Sequence, residues 1–80
     1  MSIMSDVSAA AQAAVHATDA TAAETRFVLG TGVRTPRLTE LRRQVAWKLY
    51  REGFTLDEIA TAVAVWGDHR AVRKALDAAA

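Results

Sequence analysis

The chain has no cysteine, which removes disulfide frameworks and thiolate metal sites from consideration. Its two histidines, His16 and His69, lie far apart with no companion ligands, so no metal site is expected. Proline occurs once, at Pro36, and glycine only four times, which leaves long stretches free of helix breakers. Long apolar runs are missing too. The longest uncharged stretch, Val7 to Thr18, is too short and too alanine-rich to cross a bilayer. The residues ahead of it lack the basic start of a secretory signal. The expectation is a cytoplasmic protein with no membrane partner. A catalytic constellation is also missing. No serine nucleophile stands near a histidine, no carboxylate pair sits in an apolar setting, and Gly30-Thr31-Gly32 reads as a loop rather than a phosphate-binding motif. Neither an enzyme activity nor a cofactor nor a small-molecule substrate is expected.

What is present is a short, alanine-rich, helix-forming chain. Eighty residues suffice for one small domain. The hydrophobic share is 51%, but eighteen of those residues are alanine and bury little area. The larger apolar side chains are concentrated between Phe27 and Leu76, so the core should be small and its stability modest. Net charge is +1, unevenly placed. Residues 1–33 set Arg26 against Asp6, Asp19 and Glu24, a balance of −2. Residues 34–80 set nine basic against six acidic residues, a balance of +3.

Helical spacing recurs along the whole chain and strand alternation does not appear. Residues 6 to about 20 read as a helix capped by Ser5, with Asp6 at its positive end. Ile3, Val7, Ala11, Ala14 or Val15, and Thr18 make a thin stripe on it. Thr21-Ala22-Ala23-Glu24 fits a capping box that opens a short helix to Leu29, ended by Gly30, with Phe27 and Val28 turned inward. Thr35-Pro36 opens the next helix. Over 36–52, Leu38, Leu41, Val45 and Leu49 fall on one face, and Arg42, Arg43, Lys48 and Arg51 occupy much of the rest. Gly53 ends that helix. Thr55-Leu56-Asp57-Glu58 is a second capping box, stapled by Phe54 and Ile59. It opens a helix over 55–65, with Leu56, Ile59, Ala60 and Val63 inward. A four-residue break, Val65 to Asp68, follows. Asp68 caps a final helix over 68–78, lined on one side by Val72, Ala75, Leu76 and Ala79. The class is all-α, a small bundle of four to five helices.

Two short helices joined by a turn and braced by a longer helix describe a helix-turn-helix DNA reader. Ala60, Ala62 and Ala64 permit a close crossing, and Ile59, Val63, Val72 and Leu76 anchor it. The open flank of the last helix carries His69, Arg70, Arg73 and Lys74. Residues 43–76 also resemble the DNA-binding domain of the bacterial replication initiator DnaA. Arg43-Gln44-Val45-Ala46 is similar to that family's Arg-Gln-apolar-Ala start. Leu56-x-Glu58-Ile59 matches its Leu-Pro-Glu-Ile opening, and Asp68-His69 with Val72 resembles its Arg-Asp-His-Thr-Thr-Val signature. The resemblance implies that His69 reaches a base edge and that Asp68 shapes the helix start. Gly67 stands where the family has arginine, Arg70 and Ala71 replace its threonines, one extra residue precedes Asp68, and Trp66 has no counterpart. A different target sequence follows, and initiator activity itself is not expected. Regulators of resolvase or repressor type fit residues 49–76 almost as well.

The expectation is thus a sequence-specific binder of double-stranded DNA, a small phage or bacterial transcriptional regulator. Residues 34–80 form its helix-turn-helix domain and residues 1–33 an alanine-rich helical arm that offers a homodimer surface. Arg73 and Lys74 are assigned to phosphates, and His69 and Arg70 to bases, Arg70 to a guanine. Thr55 opens a helix whose amides face a phosphate. Arg43 adds charge on the bracing helix. Arg34 and Arg37 form a basic arm along the backbone or minor groove. The competing expectation is a three-helix protein-binding module of ubiquitin-associated type, because Gly53-Phe54, Ala71-Val72 and Ala75-Leu76 resemble its Gly-Phe start and Ala-Val-x-x-Leu close. A small phage protein that binds a host protein is the other alternative. Trp66 discriminates: buried against the bracing helix it favours DNA, and exposed beside Phe54 it favours a protein contact.

Overall fold

A computed structural model describes residues 3–79, with side chains from Val7 to Ala78. Five helices follow one another: α1 (Ile3–His16), α2 (Ala22–Gly30), α3 (Pro36–Arg51), α4 (Leu56–Ala62) and α5 (His69–Ala79). No strand occurs among the described residues, and no helix is long and apolar enough to cross a membrane. The fold is a small all-α bundle.

The helix starts form where local chemistry places them. Thr21 and Thr55 each close a capping box: the hydroxyl accepts from the backbone N–H three residues on, and Glu24 or Glu58 accepts from the threonine N–H. The Thr35 hydroxyl accepts from Leu38 N at 3.1 Å, with Pro36 in the first turn. Asp68 Oδ1 accepts from Arg70 N at 2.9 Å and Ala71 N at 3.2 Å. At the end of α3, Gly53 takes φ 97°. That left-handed residue lets Phe54 N reach Leu49 O and Gly53 N reach Tyr50 O, a Schellman closure.

Four expectations need correction. First, α1 begins at Ile3, so Ser5 lies within it and does not cap it; the roles expected of the Ile3, Asp6 and Ala79 side chains fall outside the described ones. Second, the α1 stripe is no free surface. Val7, Ala11, Ala14 and Val15 are buried, and α1 packs on both α3 and α4. Alanine lets these backbones approach closely. The stripe assigned to a second copy is spent inside the chain, and α1 and α2 share one core with α3, α4 and α5. A radius of gyration of 11.2 Å is what one folded body of this length takes, about 11–12 Å.

Third, α4 is shorter than expected. It stops at Ala62 because Val63 turns extended and Ala64 N donates to Leu29 O at 2.8 Å. The connection to α5 is therefore the six residues 63–68. Val63 is fully buried within that connection, so it pins the connection as well as the helix. Fourth, α2 is rotated from the expected orientation. Val28 is buried and Leu29 half-buried, whereas Phe27 is 43% exposed.

The centre of the bundle is Leu41, Val45, Ala46 and Leu49 of α3, packed with Ile59, Val63 and Val72 and all fully buried. Val72 and Leu76 seat α5 on this core, as expected from their spacing. Among the described residues one charged side chain is buried with them, Arg42, at 2% exposure.

Candidate nucleic-acid interface

Helix geometry places Arg70, Arg73, Lys74 and Asp77 on the flank of α5 opposite Val72 and Leu76. All four are exposed, as is His69 at the helix start. Arg70 Nη2 lies 3.0 Å from Asp68 Oδ2. The Arg70 guanidinium and then the Ala71 amide hold the Asp68 carboxyl below the ordinary aspartate range. Arg73 reaches Asp77 only loosely, at 4.0 Å. Lys74 has no ion-pair partner among the described residues. These contacts lie at the surface, where an ion pair contributes little. Sequence pattern alone does not single out Asp77, which lowers the net charge of the flank.

His69 Nδ1 sits 3.3 Å from Asp57 Oδ1, which brings the starts of α4 and α5 side by side. The start of α4 is poorly suited to a phosphate. Glu58 N already bonds the Thr55 hydroxyl, Thr55 N bonds Glu58 Oε1, and Asp57 and Glu58 place two carboxylates in the first turn.

The two arginines around Pro36 part company. Arg37 turns toward the α1–α2 connection, with Nε 2.9 Å from Glu24 Oε2 and Nη2 3.0 Å from Asp19 Oδ1. Glu24 and then Asp19 raise its pKa further, and Arg37 is the main cause of the lowered Glu24 value. Arg34 stays exposed and lines a groove of about 390 Å³ between α3 and α5 with Arg43, Trp66 and Lys74. Arg34 and Arg37 thus do not act as one arm.

Arg42 was expected on the polar face of α3, and the fold buries it. Its Nε donates to Val28 O at 2.8 Å, Nη1 to Val33 O at 2.6 Å, and Nη2 to Phe27 O at 2.7 Å and Thr31 O at 3.2 Å. The guanidinium thus caps the negative end of α2 and ties down the loop that carries Arg34. A signal for this was present. Arg42 stands four residues after Leu38 and three before Val45, inside the apolar stripe of α3.

Trp66 is half-buried and lines the groove with Thr39, Arg42 and Arg43 of α3, so it is neither buried against the bracing helix nor exposed. No family model, curated protein or solved structure matches the chain.

Proposed function

We propose that the chain is a cytoplasmic, sequence-specific binder of double-stranded DNA, acting as a small bacterial or phage regulator. α5 enters the major groove and α3 braces it. The observation that carries this reading is the seating of α5. Val72 and Leu76 fix it in the core, and His69, Arg70, Arg73 and Lys74 are exposed on its outer side. Arg70 is the residue for a base edge, with a guanine as the fitting partner; Arg73 and Lys74 meet phosphates. The resemblance of 43–76 to the DnaA DNA-binding domain fits the same docking.

A single module of this size makes few phosphate contacts, so its affinity should be modest and strongly salt-dependent. A homodimer doubles those contacts; its surface is not the buried α1 stripe. Gel shifts on a randomised duplex pool at two salt concentrations test the reading. Arg73→Ala should weaken binding on every sequence, and Arg70→Ala should relax preference at one position by roughly 1–3 kcal/mol. If neither substitution changes binding, α5 is not the recognition helix.

One observation favours a second reading, a protein-binding module. Trp47, Tyr50, Leu56 and Leu76 line a cleft between α3, α4 and α5 whose charged members are Arg73 and Asp77. Arg73 borders the same cleft, so Tyr50→Ser is read on base preference, which the DNA reading requires to persist because Arg70 lies outside the cleft.

A further inference from the structure

The groove between α3 and α5 differs from the rest of the surface in one respect. Arg34, Arg42, Arg43 and Lys74 line it, and no carboxylate does among the described residues. Elsewhere the exposed cations mostly meet acids, Arg37 with Asp19 and Glu24, Lys48 with Glu52, and Arg70 with Asp68. In the groove, Arg42 is committed to backbone carbonyls. Arg43 reaches Glu40 only at 3.8 Å, and its Nε is buried with no hydrogen-bond partner. Arg34 and Lys74 pair with nothing among the described residues. Cations gathered without counter-charge repel one another, and an anion relieves that repulsion. Burial and the neighbouring charge of Arg34 both depress the Arg42 pKa, a sign that the guanidiniums sense each other.

The opposite side of α5 has the reverse character. His69 meets Asp57 there, and Glu58 stands in the same first turn. Helix geometry puts Ala71, Lys74, Ala75 and Ala78 on the groove side, away from His69. A duplex laid against α5 thus meets cations along one edge and carboxylates along the other.

We propose that the groove seats a phosphate of the DNA backbone, held by Arg34, Arg43 and Lys74, so that the duplex leans toward α3 and away from the start of α4. This rests on the DNA-binding reading and adds to it which strand is gripped and by what. Arg42 acts as a positioning residue, since it anchors the loop that presents Arg34. Trp66 forms the apolar wall beside the phosphate.

The test is the salt dependence of duplex binding by the full chain, read as the slope of log affinity against log salt. Removing one cation that meets a phosphate lowers that slope by about one. Arg34→Ala/Lys74→Ala should lower it by about two. Lys48→Ala, on a different face of α3, should leave it unchanged. Arg34 and Lys74 are exposed and make no side-chain hydrogen bonds among the described residues, so the double variant should fold, which far-UV circular dichroism checks. An unchanged slope overturns the groove, while relaxed base preference in Arg70→Ala and weaker binding in Arg73→Ala would keep α5 as the reader. The reverse pattern upholds the groove and removes α5 as the reader. A wild-type chain that binds no duplex, with the Trp66 indole resonance shifting on addition of inorganic phosphate, overturns DNA as the source of the phosphate. No response to either probe overturns the groove and the DNA reading together.

Discussion

Arg42 offers the sharpest test of how this fold is held. It is a buried cation without a carboxylate partner, solvated by four backbone carbonyls. Replacing it with methionine keeps the aliphatic length and removes the fork. Thr31 and Val33 lie in an exposed loop, so water can take over their carbonyls. The Phe27 carbonyl keeps a second donor, the Thr31 hydroxyl at 3.0 Å. Val28 is fully buried, and its carbonyl would lose its Arg42 donor. An orphaned buried carbonyl costs about 1–3 kcal/mol, and broken hydrogen bonds to a charged group add about 1.5–3 kcal/mol each before relaxation. A net loss of about 3 kcal/mol follows for Arg42→Met, a large part of the stability of a domain this small. At about 4–8 °C per kcal/mol, Tm should fall by roughly 12–24 °C. Apolar replacement of a buried ion pair is often harmless because both partners go together; here the partners are backbone and stay. Arg42→Lys keeps the charge but cannot reach carbonyls on both sides of the fork, so about half the loss should remain. Urea unfolding followed by circular dichroism measures both. If Arg42→Met unfolds within about 0.5 kcal/mol of the wild type, the capping account of α2 is wrong.

Three further outcomes follow from the packing. A chain of residues 34–80 should show no cooperative thermal transition, because it lacks Val7, Ala11, Ala14, Val15 and Val28, all buried in the whole protein; a sharp transition would restore the first thirty-three residues to a separable arm. Gly53→Ala should cost about 1 kcal/mol in chemical unfolding, since its φ of 97° disfavours any side chain although space is free. Gly67→Ala, with ordinary φ and open space, should cost almost nothing by the same assay. Acid is the third perturbation. Glu24, bonded chiefly by Arg37, and Asp68, bonded chiefly by Arg70, both have lowered native pKa values. Their contribution is complete above the unfolded carboxylate values near about 4 and is lost as pH falls through the lowered native ones. An unfolding series from pH 6 to 2 should show Arg37→Gln flattening part of that decline. An unchanged profile would mean that the Arg37 bridge stabilises nothing.

Four helix starts and the end of α3 were legible because each rests on a few neighbouring residues. Thr21 with Glu24, Thr35 with Pro36, Thr55 with Glu58 and Asp68 ahead of α5 all cap as their local pattern requires, and Gly53 turns left-handed where α3 ends. The α3 stripe and the seating of α5 by Val72 and Leu76 were legible too, since helical periodicity assigns the inward face. The partners of charged side chains were not legible. Arg42 looked like a surface residue because its four acceptors come from a segment nine to fifteen residues earlier. Arg34 and Arg37, separated only by two residues, diverge to different elements. The early end of α4 depends on Leu29 O taking the Ala64 amide, a choice made only once α2 lies beside that turn.

Short-range chemistry therefore settled most helix starts and the apolar faces of α3 and α5, because those depend on spacing within one or two turns. What the folded chain alone decided is which apolar stripe is spent internally, which cation is buried and which are left without a counter-charge. Those outcomes depend on distances between elements far apart in the chain, and they placed α1 in the core and gathered Arg34, Arg43 and Lys74 around one groove.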